Sequence, residues 1–333
     1  MPTRERRGSQ TAGTPTDSDR SAPQRPGARR TALSSRAWPW ITPGIIAMLL
    51  TTIIPAIVTV LVSFTNLSIG RRDDWQIIGV DNYTRVLAGA DAGKFFGVLG
   101  WTLTYALIVT LVSVTIGLLL AVALNDPTVK ERAIYRALLI LPWALPSVLT
   151  AVVWASLLNG SFGPVNQLLN GFGIESVPWL TDPFWARVAV ILVSVWMSFP
   201  FMMTACLGAL QTIPEEVLEA ARMDGASAPV VLARIVIPQL SSAVKPLVIA
   251  AFAMQVNNFG VIFLLTSGGP AMDATGTPGA TDILVTYLYK IAFIGADQNY
   301  GLASAVSIIL FAIVGGITAL SAWALGTTKE VAR

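Results

Sequence analysis

The chain has 333 residues, of which 54% are hydrophobic and only 12% are charged. Soluble domains carry about 25% charged residues, so this composition excludes an ordinary soluble protein and predicts an integral membrane protein. The net charge of +3 is too small to indicate a nucleic-acid partner. Histidine is absent from the sequence, and Cys206 is the single cysteine. These counts exclude histidine-based acid–base catalysis, a disulfide framework and a cysteine–histidine metal site.

The first 36 residues are rich in Ser, Thr, Pro, Gly and Arg and contain almost no large apolar side chains. This composition predicts a disordered segment. Its arginines precede an apolar stretch, which places the segment in the cytoplasm by the positive-inside rule. A signal peptide is the alternative, but the apolar stretch is too long and no small-residue cleavage site is obvious. We therefore expect a disordered basic tail at 1–36 and a membrane domain at 37–333.

Six apolar stretches follow the tail, and each is close to or above the ~20 residues that a helix needs to cross a bilayer. They predict an all-helical, multi-pass protein of the cell membrane with both termini in the cytoplasm. A short basic loop at 126–136 supports this orientation. Pro142 and Pro146 are expected to bend the third span. The predicted spans are 43–64, 98–124, 137–158, 188–210, 246–266 and 302–325.

A polar segment at 211–238 separates the fourth and fifth spans. Thr212 and Glu215 have the spacing of a capping box, which predicts a helix that starts at Thr212. Gly225 allows a turn, and Ser227 is placed to cap a second short helix. From the pattern alone, an ordinary amphipathic loop at the membrane surface is an equally good interpretation. The apolar side of the first predicted helix consists of Ile213, Val217, Leu218, Ala221 and Met223.

Polar side chains inside a membrane span are costly unless they are satisfied, so they are candidate functional residues. Gln255 and Asn258 lie three residues apart in the fifth span, on one helical face with Ala251 and beside Phe259. Amides bond to sugar hydroxyls, and an aromatic ring covers the apolar face of a sugar. The alternative, to which we give equal weight, is that the two amides bridge neighbouring helices.

The fourth span contains a proline, Pro200, at a position where the helix would otherwise continue. Proline removes a backbone donor and frees a carbonyl near Trp196 and Met197. A broken helix that lines a cavity is one interpretation, and a simple packing kink is the other.

The polar segment carries a resemblance to a known family. Glu219-Ala220-Ala221, Gly225 and the ending Ile235-Val236-Ile237-Pro238 resemble the EAA loop of permease subunits of binding-protein-dependent ABC importers. The family's usual ending is I-x-L-P, so Ile237 is a mild departure. The resemblance implies the type I ABC importer permease fold and a coupling helix that fits a cleft in a separate ATPase subunit. The implied ATPase-coupling residues are Glu215, Glu219, Ala220, Ala221, Asp224 and Gly225.

Residues 187–325 are similar to the larger permease subunit of maltose-type sugar importers. In this chain Gln255 replaces a family Asn, Phe201 a Tyr and Ala251 a Ser, so two hydroxyls are absent. The resemblance implies import of a di- or oligosaccharide such as a maltose- or trehalose-like α-glucoside. The carrying stretches are 252–259, 265–270, 279–293 and 300–305. The implied substrate-binding residues are Met197, Ser198, Phe201, Ala251, Met254, Gln255 and Asn258.

Two segments between the spans extend this resemblance. Gly79, Asn82 and Tyr83 fit a G-x-x-N-Y element of the sugar permeases. The Gly/Pro-rich loop 268–279 lacks the lysine and the strand-to-helix context of a phosphate-binding P-loop. In the family this loop lies on the outer side and meets the binding protein.

The resemblance also implies partners. A second, similar permease subunit would pair with this chain, two ATPase subunits would dock on the cytoplasmic side, and an extracytoplasmic solute-binding protein would deliver the sugar. The sequence contains no Walker motif, so ATP and magnesium would bind to the partner ATPase. We therefore expect a transport subunit that is not an enzyme, holds no cofactor or metal, contacts membrane lipid and binds no nucleic acid.

Three other functions are alternatives to a sugar-importer permease. A permease for a different small solute, such as a sugar phosphate, fits the same motif. An ion-coupled secondary sugar transporter would require intramembrane Asp, Glu or His, and the predicted spans contain essentially none. A membrane-embedded enzyme would require metal ligands or a carboxylate pair within the membrane, so we place it last.

Overall fold

The computed structural model of the chain describes residues 38–126 and 128–324. The predicted tail at 1–36 lies outside the described residues. The chain divides into two units, with the boundary between Ile54 and Pro55. Within the described ranges every regular element is helical, and β-type pairing is limited to three isolated bridges. The predicted all-helical fold is therefore confirmed.

Helix α1, Trp38–Ser63, includes the unit boundary and contains a π-helical turn at Leu49–Ile53. All other helices belong to the second unit. They are α2 (Asp81–Leu87), α3 (Ala92–Asn125), α4 (Arg132–Ala144), α5 (Ser147–Leu157), α6 (Pro164–Gly171), α7 (Pro183–Leu210), α8 (Glu215–Met223), α9 (228–256), α10 (Phe259–Thr266), α11 (Leu284–Ile294) and α12 (Tyr300–Ala324).

The candidate membrane spans agree with the six predicted ones. By length and composition, the described helices include five candidate spans, or six when a bent pair is counted as one. The five are α1, α3, α7, α9 together with α10, and α12; the bent pair is α4–α5. The helices extend beyond the predicted apolar stretches because helical hydrogen bonding continues into their polar flanks.

The third span is bent by 91° between α4 and α5. The bend lies at Leu145 and Pro146, where Leu145 is extended with φ −80° and ψ 143°. A proline disfavours the helical conformation of the residue before it, so α4 ends there. Pro142, which was also expected to bend the span, lies inside α4, which continues to Ala144.

Helix α7 is continuous from Pro183 to Leu210 with Pro200 inside it, so of the two interpretations of Pro200 the broken helix does not hold. The helix starts sharply because the Asp182 carboxylate accepts hydrogen bonds from the backbone amides of Phe184 and Trp185, at 3.0 Å each. Pro183 follows at the first helical position, where its missing amide hydrogen costs nothing.

The polar segment 211–238 forms a helix, a turn and a second helix, as predicted, but its first helix starts at Glu215. The expected capping box is wrong, because the Thr212 hydroxyl donates to the Ala209 carbonyl at 2.8 Å. Gly225 takes the left-handed conformation, with φ +75°, which is costly for any other residue. This glycine therefore sets the turn between α8 and α9.

Helix α9 starts at Ala228, well before the predicted span boundary at 246. A π-helical turn at Leu232–Val236 precedes Pro238, and the amide of Ile237 bonds to the Leu232 carbonyl. This wider turn lets the helix continue past a proline that would otherwise interrupt it. The fifth span is thus joined directly to the polar segment through one helix.

Two clusters of buried apolar side chains hold the second unit together. The larger one contains Tyr105, Val109, Val193, Val256, Ile262, Leu284 and Val306 among its members. The second cluster contains Ala121, Leu124, Met203, Cys206, Leu207, Leu210, Val236 and Leu240, and Leu218 of α8 packs against it. We call this second set the inner cluster, because it lies at the end of the bundle that carries α8.

The G-x-x-N-Y element ties the end of α1 to α2. Gly79 has φ +61°, and the Asn82 side-chain amide donates to the carbonyls of Ser63 and Thr65 at 2.9 and 2.8 Å. The Tyr83 hydroxyl lies 2.7 Å from Ser63 Oγ. This element therefore satisfies backbone groups that the end of α1 would leave unpaired.

The loop at 267–283 is fastened to the start of α3. Lys94 Nζ lies 3.2 Å from an Asp273 carboxylate oxygen and donates to the Thr277 carbonyl at 3.1 Å. Hydrogen bonds from Thr275, and then the Lys94 ammonium, hold the pKa of the Asp273 carboxyl below its usual value. The loop is thus held by side chains distant in sequence.

Helices α3 and α7 approach each other closely at Gly117. A Cβ added there would lie 2.6 Å from the Met203 backbone nitrogen and 2.8 Å from Met202 Cβ. We expect Gly117→Ala to reduce the free energy of unfolding by about 1–3 kcal/mol, because overpacking forces the helices apart. Thermal unfolding of the purified protein in lipid measures this loss.

The matched control is Gly100→Ala, also on α3, where no described residue outside the local helix turn lies within 4 Å of an added Cβ. It is expected to leave stability unchanged or slightly higher, because alanine is the better helix former. Equal unfolding temperatures for the two variants would contradict the close packing at Gly117.

Candidate functional site

A cavity of about 620 Å³ lies among α3, α4, α5, α7, α9 and α10. Its volume is within the range of small-molecule sites. The structure brings all seven predicted sugar-binding residues to its wall, although they come from two spans that the polar segment 211–238 separates. They are Met197, Ser198, Phe201, Ala251, Met254, Gln255 and Asn258. Their role in binding stays a prediction.

Hydrogen-bonded side chains meet at one side of this cavity, and three of them, Ser198, Gln255 and Asn258, line it. Gln255 Nε2 donates to Ser198 Oγ at 2.9 Å, and Asn258 Nδ2 donates to Gln255 Oε1 at 2.9 Å. Asn258 Nδ2 also lies 3.2 Å from the Tyr105 hydroxyl, which is 2.7 Å from Ser194 Oγ. We call these five residues the amide network. The network joins α3, α7 and α9, so the same amides both bridge helices and line the cavity.

A break in the fifth span places Asn258. Helix α9 ends at Val256, Asn257 and Asn258 are not helical, and α10 starts at Phe259. The amide hydrogen of Asn258 still bonds to the Gln255 carbonyl, at 3.1 Å, which keeps their side chains together. Non-helical backbone at membrane depth is tolerated where it lines a cavity. The fifth span therefore contains a break that was not predicted from the sequence, and two adjacent asparagines followed by Phe-Gly were the available signal.

Aromatic and apolar side chains form another part of the wall. The rings of Trp143 and Phe201 lie 6.3 Å apart between centroids, at 39°. Both side chains remain exposed, and Met254 is 70% exposed. The ring pair can cover an apolar face of a bound molecule while the amide network bonds to its polar groups.

Nine lining residues lie outside the predicted set, and four of these nine are in the second and third spans. The four are Thr110, Ser113, Trp143 and Ser147. Trp143 and Ser147 reach the cavity because they flank the bend at Pro146. Thr110 and Ser113 are hydroxyl residues three positions apart in an apolar span, and this spacing was the signal that could have indicated them.

The cavity wall carries no formal charge. Among its lining residues, all of which belong to the described part of the chain, none is Asp, Glu, Lys or Arg. A group of three or more potential metal ligands is likewise absent from residues 38–126 and 128–324. The wall is therefore suited to a neutral molecule with many hydroxyl groups.

Helix α8, predicted as the coupling helix, has two different faces. Leu218 packs against the inner cluster, and Ala221 is buried at 8% exposure. Ala221, for which close fit to a partner was predicted, therefore lies on the buried side of the helix, and its coupling role stays a prediction. Met223, expected on the packed side, is 88% exposed. The predicted coupling residues on the exposed face or in the turn are Glu215, Glu219, Ala220, Asp224 and Gly225.

Known proteins resemble this chain in sequence. Residues 113–325, more than half of the chain, match the family described as "Binding-protein-dependent transport system inner membrane component". The maltose/maltodextrin transport system permease protein MalF of Klebsiella aerogenes is 42% identical over 244 residues, which cover 72% of this chain and 47% of that protein. The galactooligosaccharides transport system permease protein GanP of Bacillus subtilis is 34% identical over 306 residues, which cover 89% of this chain and 71% of that protein.

The chain spans about half the length of the maltose relatives that it matches. In structure, it is similar to a chain of the bacterial alginate ABC transporter in complex with alginate pentasaccharide-bound periplasmic protein, with a TM-score of 0.69 and 24% identity. That similarity covers 86% of this chain and 93% of the alginate transporter chain, and it shows the fold alone. The chain therefore belongs to the inner membrane components of binding-protein-dependent transport systems, as a multi-pass protein of the cell membrane with the type I importer permease fold.

Proposed function

We propose that this chain is a permease subunit of an ATP-driven importer that moves a di- or oligosaccharide across the cell membrane. The sugar class is a maltose- or trehalose-like α-glucoside. The observation that carries the proposal is the uncharged cavity of about 620 Å³, with an amide network on one wall and a pair of aromatic rings on another.

The chemistry of the wall supports a sugar. Carboxamide and hydroxyl groups both donate and accept hydrogen bonds, as sugar hydroxyls do. An aromatic face covers the apolar C–H surface of a pyranose ring. Relatives named for maltose, maltodextrin and galactooligosaccharide transport support the same class. Phe201 and Ala251 offer no hydroxyl where the family has Tyr and Ser, which favours a related α-glucoside over maltose itself.

The uncharged lining of the cavity argues against two other functions, an ion-coupled transporter and a sugar-phosphate permease. Ion-coupled transporters use intramembrane acidic or histidine side chains, and a sugar phosphate would require arginine or lysine for its charge. The lining residues include no Asp, Glu, His, Arg or Lys. All of them lie in described helices or in the break at Asn257 and Asn258. A neutral sugar is the substrate class that these groups fit.

The partners follow from the same proposal. A second permease subunit completes the membrane pathway, and an extracytoplasmic solute-binding protein delivers the sugar. Two ATPase subunits dock on the cytoplasmic side, where they bind ATP and magnesium, and one of them receives the exposed face of α8. This chain is then a transport subunit and not itself an enzyme. Helix α9 runs without a break from Ala228 to Gln255, so it can transmit a movement of α8 to the amide network.

The test measures ATP hydrolysis by the purified complex in lipid, with its co-expressed partners and binding protein, against a panel of α-glucosides. We expect one sugar to stimulate hydrolysis. Gln255→Ala and Asn258→Ala should each raise the half-stimulating sugar concentration by about 10-fold, because each removes hydrogen bonds to the sugar.

Gln239→Ala is the matched control, since Gln239 is an exposed amide on α9 outside the cavity. Its sugar response should equal that of the unaltered complex. If the Gln255 and Asn258 variants assemble and respond normally, these amides only bridge helices. If no sugar stimulates hydrolysis, the proposed function is wrong.

A further inference from the structure

Two residues that line the cavity carry buried hydroxyl groups with no hydrogen-bond partner among the described residues. They are Thr110 Oγ1 and Ser113 Oγ, and the two residues are 4% and 2% exposed. Both residues are on α3 and both line the cavity. A buried hydroxyl without a partner is unfavourable, and in native proteins such a group requires an explanation.

Other hydroxyls on the same helix show how such groups are normally satisfied. Thr102, Thr104 and Thr115 each donate to the carbonyl four residues earlier, at 2.7, 2.8 and 2.8 Å. This bond is available to any Ser or Thr in a helix. Thr110 and Ser113 do not make it, and they are the members of this set that line the cavity. The hydroxyls that lack a hydrogen-bond partner among the described residues are therefore those of residues that line the cavity.

The hydroxyls of Thr110 and Ser113 form a second group of polar atoms, which is displaced along the axis of α3 from the amide network. Tyr105 is the α3 member of that network, and Thr110 and Ser113 follow it by five and eight residues. At a rise of about 1.5 Å per residue they lie about 8 and about 12 Å further along the helix. This direction leads to Gly117 and the inner cluster, and hence to the end of the bundle that carries α8.

We propose that Thr110 and Ser113 are specificity-determining residues that hydrogen-bond the hydroxyls of the sugar unit closest to the α8 end of the cavity. The inference rests on the proposed function and deepens it, because polar groups at two levels fit a di- or oligosaccharide better than a single sugar unit. Phe201 and Ala251, which line the same cavity, supply no hydroxyl.

The test uses Thr110→Val, Ser113→Ala and the double variant in the full complex with its binding protein. For the sugar that stimulates ATP hydrolysis, each single change should raise the half-stimulating concentration by about 5-fold, the loss of one neutral hydrogen bond. The thermal unfolding temperature without sugar should stay the same or rise, because the removed hydroxyls have no hydrogen-bond partner in the part of the chain that the structure describes. A merely structural role would lower that temperature.

Thr115→Val is the matched control, since its hydroxyl is on the same helix, is exposed and is satisfied within the helix. Its sugar response should be unchanged. An unaltered half-stimulating concentration in the Thr110 and Ser113 variants, with a weakened response in Gln255→Ala, would overturn the inference and leave the proposed function standing. An equal effect of Thr115→Val would also overturn it. If no sugar stimulates the unaltered complex, both proposals fail.

Discussion

Charge reversal at Glu219 is expected to uncouple ATP hydrolysis from sugar uptake. Glu219 is exposed on the face of α8 that does not pack against the inner cluster. If this face docks in a partner's cleft, Glu219→Lys loses a polar contact and introduces an unpaired charge. Such changes at interfaces cost about 2–5 kcal/mol, so uptake should fall by about 10-fold or more. The measurement is sugar uptake and ATP hydrolysis by the same reconstituted complex.

Gly225→Val should also uncouple ATP hydrolysis from sugar uptake, in this case by straining the backbone of the turn after α8. A β-branched residue at φ +75° is strained by about 1–2 kcal/mol, which changes the turn between α8 and α9. Glu175→Lys is the matched control, because it makes the same charge change at an exposed position between α6 and α7. Normal coupled transport by both the Glu219 and the Gly225 variants would show that α8 is not the coupling helix.

Truncation of Asp282 is expected to cause the largest loss of stability. Its carboxylate is fully buried, lies 2.7 Å from Lys290 Nζ, and accepts hydrogen bonds from the Gly279 amide and the Thr286 hydroxyl, at 2.7 and 2.9 Å. Asp282→Ala leaves the ammonium of Lys290 buried without its partner. Removing one member of a buried pair typically costs about 3–5 kcal/mol, measured here as thermal unfolding of the purified complex in lipid.

A double variant separates the lost charge pair from lost packing. Asp282→Ala with Lys290→Met removes both charges, and it should recover much of the stability, because apolar replacement of a whole pair is often neutral. Asp273→Ala is the exposed control on the same loop, and it should change stability little. If the single and double Asp282 variants unfold at the same temperature, the buried pair does not hold this loop.

Several features of this protein were determined by the sequence alone. Long apolar stretches define the spans, because a helix that satisfies its own backbone is what a bilayer allows. Gly225 predicts the turn after α8, because only glycine takes a left-handed conformation without cost. The amides at Gln255 and Asn258 stand out, because polar groups are rare in such spans. Each of these inferences depends on a residue and its near neighbours.

The tertiary structure decided which side chains meet. Thr212 had the spacing of a helix cap, yet its hydroxyl bonds back into α7, a local competition that spacing does not reveal. Trp143 joins Phe201 at the cavity because the third span bends at Pro146, and Gln255 reaches Ser198 across a separation of 57 residues. Thr110 and Ser113 emerge as candidate ligand contacts only from the structure, because their hydroxyls find no hydrogen-bond partner among the described residues. A cavity is built from contacts between distant spans, and the period of a single helix carries no information about its neighbours.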